Sequence, residues 1–103
     1  MDKKTSKLVK DYISFVISKN IELVKVYLFG SYAKHSETKD SDIDIALIIK
    51  DLKDEDKFDL QVRLMLFASK FDLRIEPHPI SNSDFNSSNP FAYEIRKTGV
   101  EIL

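Results

Sequence analysis

Val26-Tyr27-Leu28-Phe29-Gly30-Ser31-Tyr32-Ala33-Lys34-His35, six polar residues, then Asp42-Ile43-Asp44-Ile45-Ala46-Leu47-Ile48-Ile49: this stretch decides how the chain folds. Its first run is rich in Val, Leu and aromatic residues and stops at a glycine, which predicts a strand over residues 23–29 closed by a turn. Its second run predicts a strand over residues 42–49. The later half of that strand is apolar on both faces, so it belongs in the middle of a covered sheet. Between the two, residues 31–38 are expected to form a short helix capped by Ser31.

Outward from this centre the pattern alternates helix and strand. Leu8, Val9, Tyr12, Ile13, Phe15, Val16 and Ile17 make a broad apolar stripe, predicting an amphipathic helix over residues 5–18 that stops near Asn20. Residues 51–57 are an acidic, solvated connection, with Asp51, Asp54, Glu55, Asp56 and Asp59 suiting a helix start. From Phe58 to Lys70 both periods fit, but length and the absence of Gly or Pro favour a helix. Leu60, Leu64 and Phe67 widen its apolar surface beyond one face, hinting at a second contact surface. Phe71, Leu73 and Ile75 alternate with Asp72, Arg74 and Glu76, predicting a strand over residues 71–76 that Pro77 and Pro79 end. Residues 81–89 read as a polar loop, Pro90 as the first turn of a last helix, Gly99 as its C-terminal stop, and residues 100–103 as a short edge strand. The expected fold class is α/β (α+β): a small mixed sheet of three to four strands packed with helices.

Bulk properties narrow the function classes. At 103 residues the chain is expected to be one domain, 1–103. Formal net charge is −1, so binding to bulk nucleic acid is not expected. Residues 1–50 carry nine Lys against seven acids and residues 51–103 seven basic residues against ten acids, too small an asymmetry to name a partner. No apolar run approaches the roughly 20 residues of a membrane span. With no cysteine, disulfides and thiolate metal sites are excluded and a cytoplasmic home is favoured.

The chemistry lies in the opening stretch. Gly30 can take backbone angles closed to other residues and lets the chain approach a ligand. Ser31 adds a hydroxyl and neighbouring amide donors suited to phosphate oxygens. Asp42 and Asp44 sit two apart on a strand, on one face and about 6.5–7 Å apart along the chain. Two carboxylates side by side on a sheet repel, and a hard cation such as Mg²⁺ removes that penalty. Either half alone has a plain reading: a turn with a helix cap, or acids on a solvated strand face. Their order and spacing are what point to a magnesium-nucleotide site. His35 and His78 lack ligand spacing and read as surface or loop residues.

Leu28-Phe29-Gly30-Ser31-Tyr32-Ala33-Lys34 followed by Ser41-Asp42-Ile43-Asp44-Ile45 resembles the signature of the minimal nucleotidyltransferase family, within the DNA polymerase beta-like nucleotidyltransferase superfamily, whose fold is palm-like. The family usually has Gly where this chain has His35, while Lys34 keeps the basic position. The resemblance implies that Gly30, Ser31 and Lys34 contact the triphosphate of ATP or another nucleoside triphosphate. It implies that Asp42 and Asp44 bind two Mg²⁺ ions about 3.5–4 Å apart. A third carboxylate should complete the site and help activate the acceptor hydroxyl. The strand pattern leaves Asp72 and Glu76 as alternatives. The run from Phe71 to Pro77 resembles the polymerase beta palm strand, which points to Asp72, with Glu76 in reserve. The implied activity is transfer of AMP from ATP to a hydroxyl of a dimer mate or another protein. Small family members resemble the antitoxin of a two-gene system whose partner is an all-helical HEPN-type protein. The alternative is a non-catalytic module that binds nucleotide or masks such a partner.

Overall fold

Ile43, Ile45, Leu47 and Ile49 alternate along one strand, all buried, and Ala46 and Ile48 between them are buried on the opposite face. That double burial is the doubly covered central strand expected from the sequence. In the computed structural model, which describes residues 1–103, the elements run α1 (Lys3–Ser18), β1 (Leu23–Phe29), β2 (Ile43–Ile49), α2 (Asp54–Ala68), β3 (Ile75–Ser81), α3 (Asn82–Phe85), α4 (Pro90–Thr98) and β4 (Val100–Glu101). The sheet order is β3-β2-β1-β4. β1 pairs antiparallel with β2 and with β4, while β2 pairs parallel with β3, so the sheet is mixed.

The two faces of β2 define two cores. On one face, Val9, Tyr12, Ile13 and Val16 of α1 and Leu64 and Ala68 of α2 close over Val26, Leu28, Ile75 and Ile43, Ile45, Leu47 and Ile49 of β2. On the other, Phe85 of α3 and Ala92 and Ile95 of α4 close over Ala46, Ile48 and Ile80, with Tyr27 and Phe29 at the margin. Each fully buried aliphatic side chain contributes about 1.5–3 kcal/mol. No helix is long and apolar enough to cross a membrane.

Local chemistry explains the helix ends. The Asp2 carboxylate accepts from the Thr5 backbone N–H at 2.7 Å and caps α1. Asp54, Glu55 and Asp56 fill the first turn of α2, where negative charge complements the helix dipole, so that helix begins earlier than its apolar pattern. Its apolar surface is divided: Leu60, Leu64 and Phe67 face the core, while Phe58, Val62, Met65 and Leu66 are exposed. Asn89 caps α4 through Phe91 and Ala92, with Pro90 in the first turn. β4 confirms the expected short edge strand, pairing Val100 with Leu28 and Glu101 with Tyr27.

Three expectations are corrected. Residues 31–38 form no helix. A single turn closes with Lys34 N–H donating to Gly30 O at 3.2 Å and Ser36 N–H to Ser31 O at 3.0 Å. His35, at φ 57°, then turns the chain into the left-handed region and stops it. The third strand does not occupy residues 71–76 but Ile75–Ser81, and it contains both prolines. β3 is an edge strand, and Pro77 and Pro79, two apart, both turn their nitrogens away from β2, so no ladder bond is lost. On that outer side Gln61 Nε2 donates to Pro77 O at 2.6 Å. Finally, the loop expected at residues 81–89 contains the one-turn α3, capped where Ser81 Oγ accepts from Asp84 N–H at 3.1 Å.

One hydrogen bond ties the two helices of the larger core. Tyr12 Oη, fully buried, donates to Leu64 O at 2.9 Å, and burial pushes the phenol far above its ordinary pKa. Tyr12→Phe is expected to lower unfolding free energy by about 1 kcal/mol in urea denaturation. An unchanged midpoint would show that the tie between α1 and α2 contributes nothing.

Candidate active site

Asp44 opens β2 on the face that carries Ala46 and Ile48, and the antiparallel register sets it opposite Phe29, the last residue of β1. Gly30 follows at once, at φ 73°. That angle favours glycine, and so does the space: a Cβ at Gly30 would collide with the Asp44 carboxylate, whose Cγ would lie 3.3 Å away. The two halves of the sequence motif are therefore in contact, and the glycine leaves room for the acid. Ser31 is half-buried beside it and Lys34 is exposed.

The parallel register of β2 and β3 sets Asp44 beside Glu76 and Ala46 beside His78. Both β3 side chains thus emerge on the face that Asp44 uses. His78 Nε2 lies 3.3 Å from Asp44 Oδ1, and one ligand atom each from Asp44, Glu76 and His78 fall within 4.8 Å of one another. Glu76 also faces Asp42, which is exposed at the mouth of the strand. Burial is the first cause that raises the Glu76 pKa. Hydrogen bonding to Asp42 and the charges of Asp42 and Asp44 raise it further, and His78 pulls the other way. Three carboxylates converging where one resists ionisation is a donor set that a divalent cation fits, because hard oxygen ligands surround Mg²⁺ and its charge removes the repulsion.

Asp72 lies elsewhere. It sits in the turn after α2, with its amide donating to Ala68 O at 3.0 Å, and not on β3. Arg74 forks onto it: Nε to Oδ1 at 3.1 Å, Nη2 to Oδ2 at 3.0 Å, and the Arg74 amide to Oδ1 at 2.8 Å. These bonds hold the Asp72 carboxyl below its ordinary range. The same guanidinium reaches Tyr32 Oη at 3.2 Å and Lys39 O at 3.4 Å. The pair lines a cleft of about 440 Å³ against Asp2, Lys4 and Thr5 at the start of α1. Asp72 thus serves a strut that ties the entry to β3 to the connection between β1 and β2.

The structure brings together Gly30, Asp42, Asp44 and Glu76, and adds His78, which the sequence reading left on the surface. Its signal is the Glu-x-His alternation of residues 76–78. That alternation repeats the Asp-x-Asp of β2 on a neighbouring strand, but it is visible only once the strand is carried through the prolines. His35 stays exposed, and its left-handed backbone sits where the family usually has the glycine that takes such angles freely.

Comparison with known proteins agrees with this geometry. The family described as polymerase beta, nucleotidyltransferase matches residues 11–103. A Methanocaldococcus jannaschii protein, provisionally named a protein adenylyltransferase, is 33% identical over 84 residues, covering 80% of this chain and 83% of its own length. A crystal structure from Sulfolobus solfataricus, provisionally assigned as a nucleotidyltransferase, aligns with a TM-score of 0.66 at 28% identity, over 93% of this chain and 77% of that one. A toxin-antitoxin crystal structure with AMP-PNP aligns with a TM-score of 0.60 at 26% identity, over 88% of this chain and 69% of that one. The four-stranded mixed sheet, the Gly30 turn against Asp44 and the extent of these matches lead to one conclusion: the chain belongs to the polymerase beta nucleotidyltransferase family, in its minimal form, and is a nucleotidyltransferase.

Proposed function

We propose that this chain transfers AMP from ATP to a hydroxyl on a partner protein, with Asp42, Asp44 and Glu76 holding two Mg²⁺ ions. The observation that carries the reading is the convergence of three carboxylates beside the Gly30 turn. Glu76 takes the third position for which the sequence pointed to Asp72, because Glu76 shares a face with Asp44 while Asp72 is engaged by Arg74. Held by these three carboxylates, Mg²⁺ would supply Lewis acidity that lowers the pKa of the attacking hydroxyl and offsets charge on the departing pyrophosphate.

The chain's own residues do the positioning. Gly30 lets the triphosphate come close to the backbone, and Ser31 with the amides of its turn donates to phosphate oxygens. Lys34, exposed beside them, adds a positive charge. The acceptor oxygen forms a bond to the α-phosphorus, the bond from that phosphorus to the bridging oxygen breaks, and pyrophosphate leaves. The acceptor's proton passes to the Glu76 carboxylate as the new oxygen–phosphorus bond forms. Much of the acceleration comes from holding these groups in line.

The protein acceptor is supported by the provisional naming of the archaeal relative as a protein adenylyltransferase and by the likeness to a toxin-antitoxin structure. On the family resemblance the partner is an all-helical HEPN-type protein, the acceptor a tyrosine hydroxyl, and this chain the antitoxin, acting in the cytoplasm. A second copy of this chain is the other source of an acceptor.

Incubation with α-labelled ATP, Mg²⁺ and a candidate helical partner is expected to leave label on the partner. Chelating the metal abolishes it, and Asp42→Asn, Asp44→Asn and Glu76→Gln each lower it by at least about a hundredfold. Asp72→Asn retains it. Transfer that survives Glu76→Gln but not Asp72→Asn would overturn the assignment. Asp72 is expected to show instead in stability. Arg74 depresses its native pKa below the ordinary 3.8, so the unfolded chain binds its proton first as pH falls. The stabilisation is therefore complete above that value and is lost as pH falls through the native one. Melting temperatures across this range should show Asp72→Asn less stable than wild type at pH 7, with the gap closing below pH 3.8. A gap that does not change with pH would contradict an ion-pair role.

A further inference from the structure

One candidate ligand at the site is not an oxygen. His78 follows Glu76 by two residues on β3, and its partner across the register is Ala46, whose side chain ends at Cβ. The imidazole therefore has room over β2 and turns toward Asp44, placing Nε2 3.3 Å from Oδ1. Around a six-coordinate ion with bonds of about 2.1 Å, adjacent ligand atoms lie about 3.0 Å apart and opposite ones about 4.2 Å apart. The His78–Asp44 separation is close to that of adjacent ligands, and the 4.8 Å limit on all three ligand atoms leaves only a small closure around an ion.

The ring is also held in place. Its centroid lies 5.1 Å from that of Phe29 and 6.2 Å from that of Phe91, both edge to face, and the two phenyl rings meet each other at 5.5 Å. Phe29 is anchored at the end of β1 and Phe91 in the first turn of α4, so elements on both sides fix the imidazole before any ion arrives. Such preorganisation is what a metal ligand requires.

We propose that His78 is a direct ligand of the divalent ion held by Asp44 and Glu76, and that this mixed nitrogen-oxygen set makes the site favour Mn²⁺ or Co²⁺ over Mg²⁺. A nitrogen ligand adds more to the binding of first-row transition ions than to that of Mg²⁺, and more for Co²⁺ than for the harder Mn²⁺, whereas Mg²⁺ prefers carboxylate and water oxygens. The inference rests on the reading of Asp44 and Glu76 as metal ligands.

The test is electron spin-echo envelope modulation on the full chain loaded with Mn²⁺ alone, beside calorimetric titrations with Mn²⁺ and Mg²⁺. Wild type is expected to show nitrogen modulation from a directly bound imidazole, retained in His35→Gln and lost in His78→Gln. Mn²⁺ affinity should fall at least about tenfold in His78→Ala, the scale on which even hydrogen-bonded neighbours of ligands change metal affinity. Mg²⁺ affinity should change much less. Mn²⁺ bound without nitrogen modulation in wild type, or equal losses for the two ions, would overturn the role of His78 while leaving the carboxylate site standing. Absence of Mn²⁺ binding, or binding unchanged by Asp44→Asn, would overturn both.

Discussion

The parallel pairing of β2 with β3 is the constraint on which the rest depends. It sets Asp44 beside Glu76, residues more than thirty apart in the chain, and carries His78 to the same face. Side-chain alternation along a strand is strict, so a slip of one residue would send Glu76 into the helix-covered core and bring a proline to the site. The register is secured from below: Ile43, Ile45 and Leu47 are fully buried on the opposite face under α1 and α2. Core packing thus determines where the charged groups meet, and the acids gain their geometry from isoleucines that point to the other face of the sheet.

That geometry works against stability. The converging charges and partial burial raise the cost of ionising Glu76. A cation that binds only the folded arrangement turns this repulsion into affinity and stabilises the fold by mass action. The turn at Gly30 belongs to the same balance. Its left-handed backbone and missing side chain leave room for the Asp44 carboxylate, so the Gly-Ser turn and the acidic start of β2 are shaped by one contact. The Asp72–Arg74 pair serves the opposite purpose, a satisfied fork that braces the β1–β2 connection from the α1 side of the sheet.

Much of this was legible in the sequence, for identifiable reasons. β1 and β2 were placed to within a residue because each is an apolar run bounded by a glycine or by polar residues. The order and spacing of Gly-Ser and Asp-x-Asp pointed to one site, while the contact of Gly30 with Asp44 comes from the antiparallel register. The third strand was misplaced because Pro77 and Pro79 read as terminators. Local sequence does not reveal that β3 is an edge strand whose prolines face outward, and that misplacement also made Asp72 look like a strand residue and hid His78. The 31–38 segment failed as a helix because His35 leaves the helical region after one turn, a backbone choice that a histidine side chain does not announce. Glu55 and its acidic neighbours suit both a solvated connection and a helix start, and they fill the first turn of α2, where negative charge is favourable.

The central claim, that one metal centre is built from β2 and β3 and not from the turn before β3, is tested most directly by anomalous diffraction from crystals grown with Mn²⁺ and a non-hydrolysable ATP analogue. The account predicts a manganese peak within about 2.3 Å of carboxylate oxygens of both Asp44 and Glu76, with the analogue's phosphates against the Gly30 turn. A peak in the Asp72–Arg74 cleft beside the start of α1, with none between Asp44 and Glu76, would contradict it.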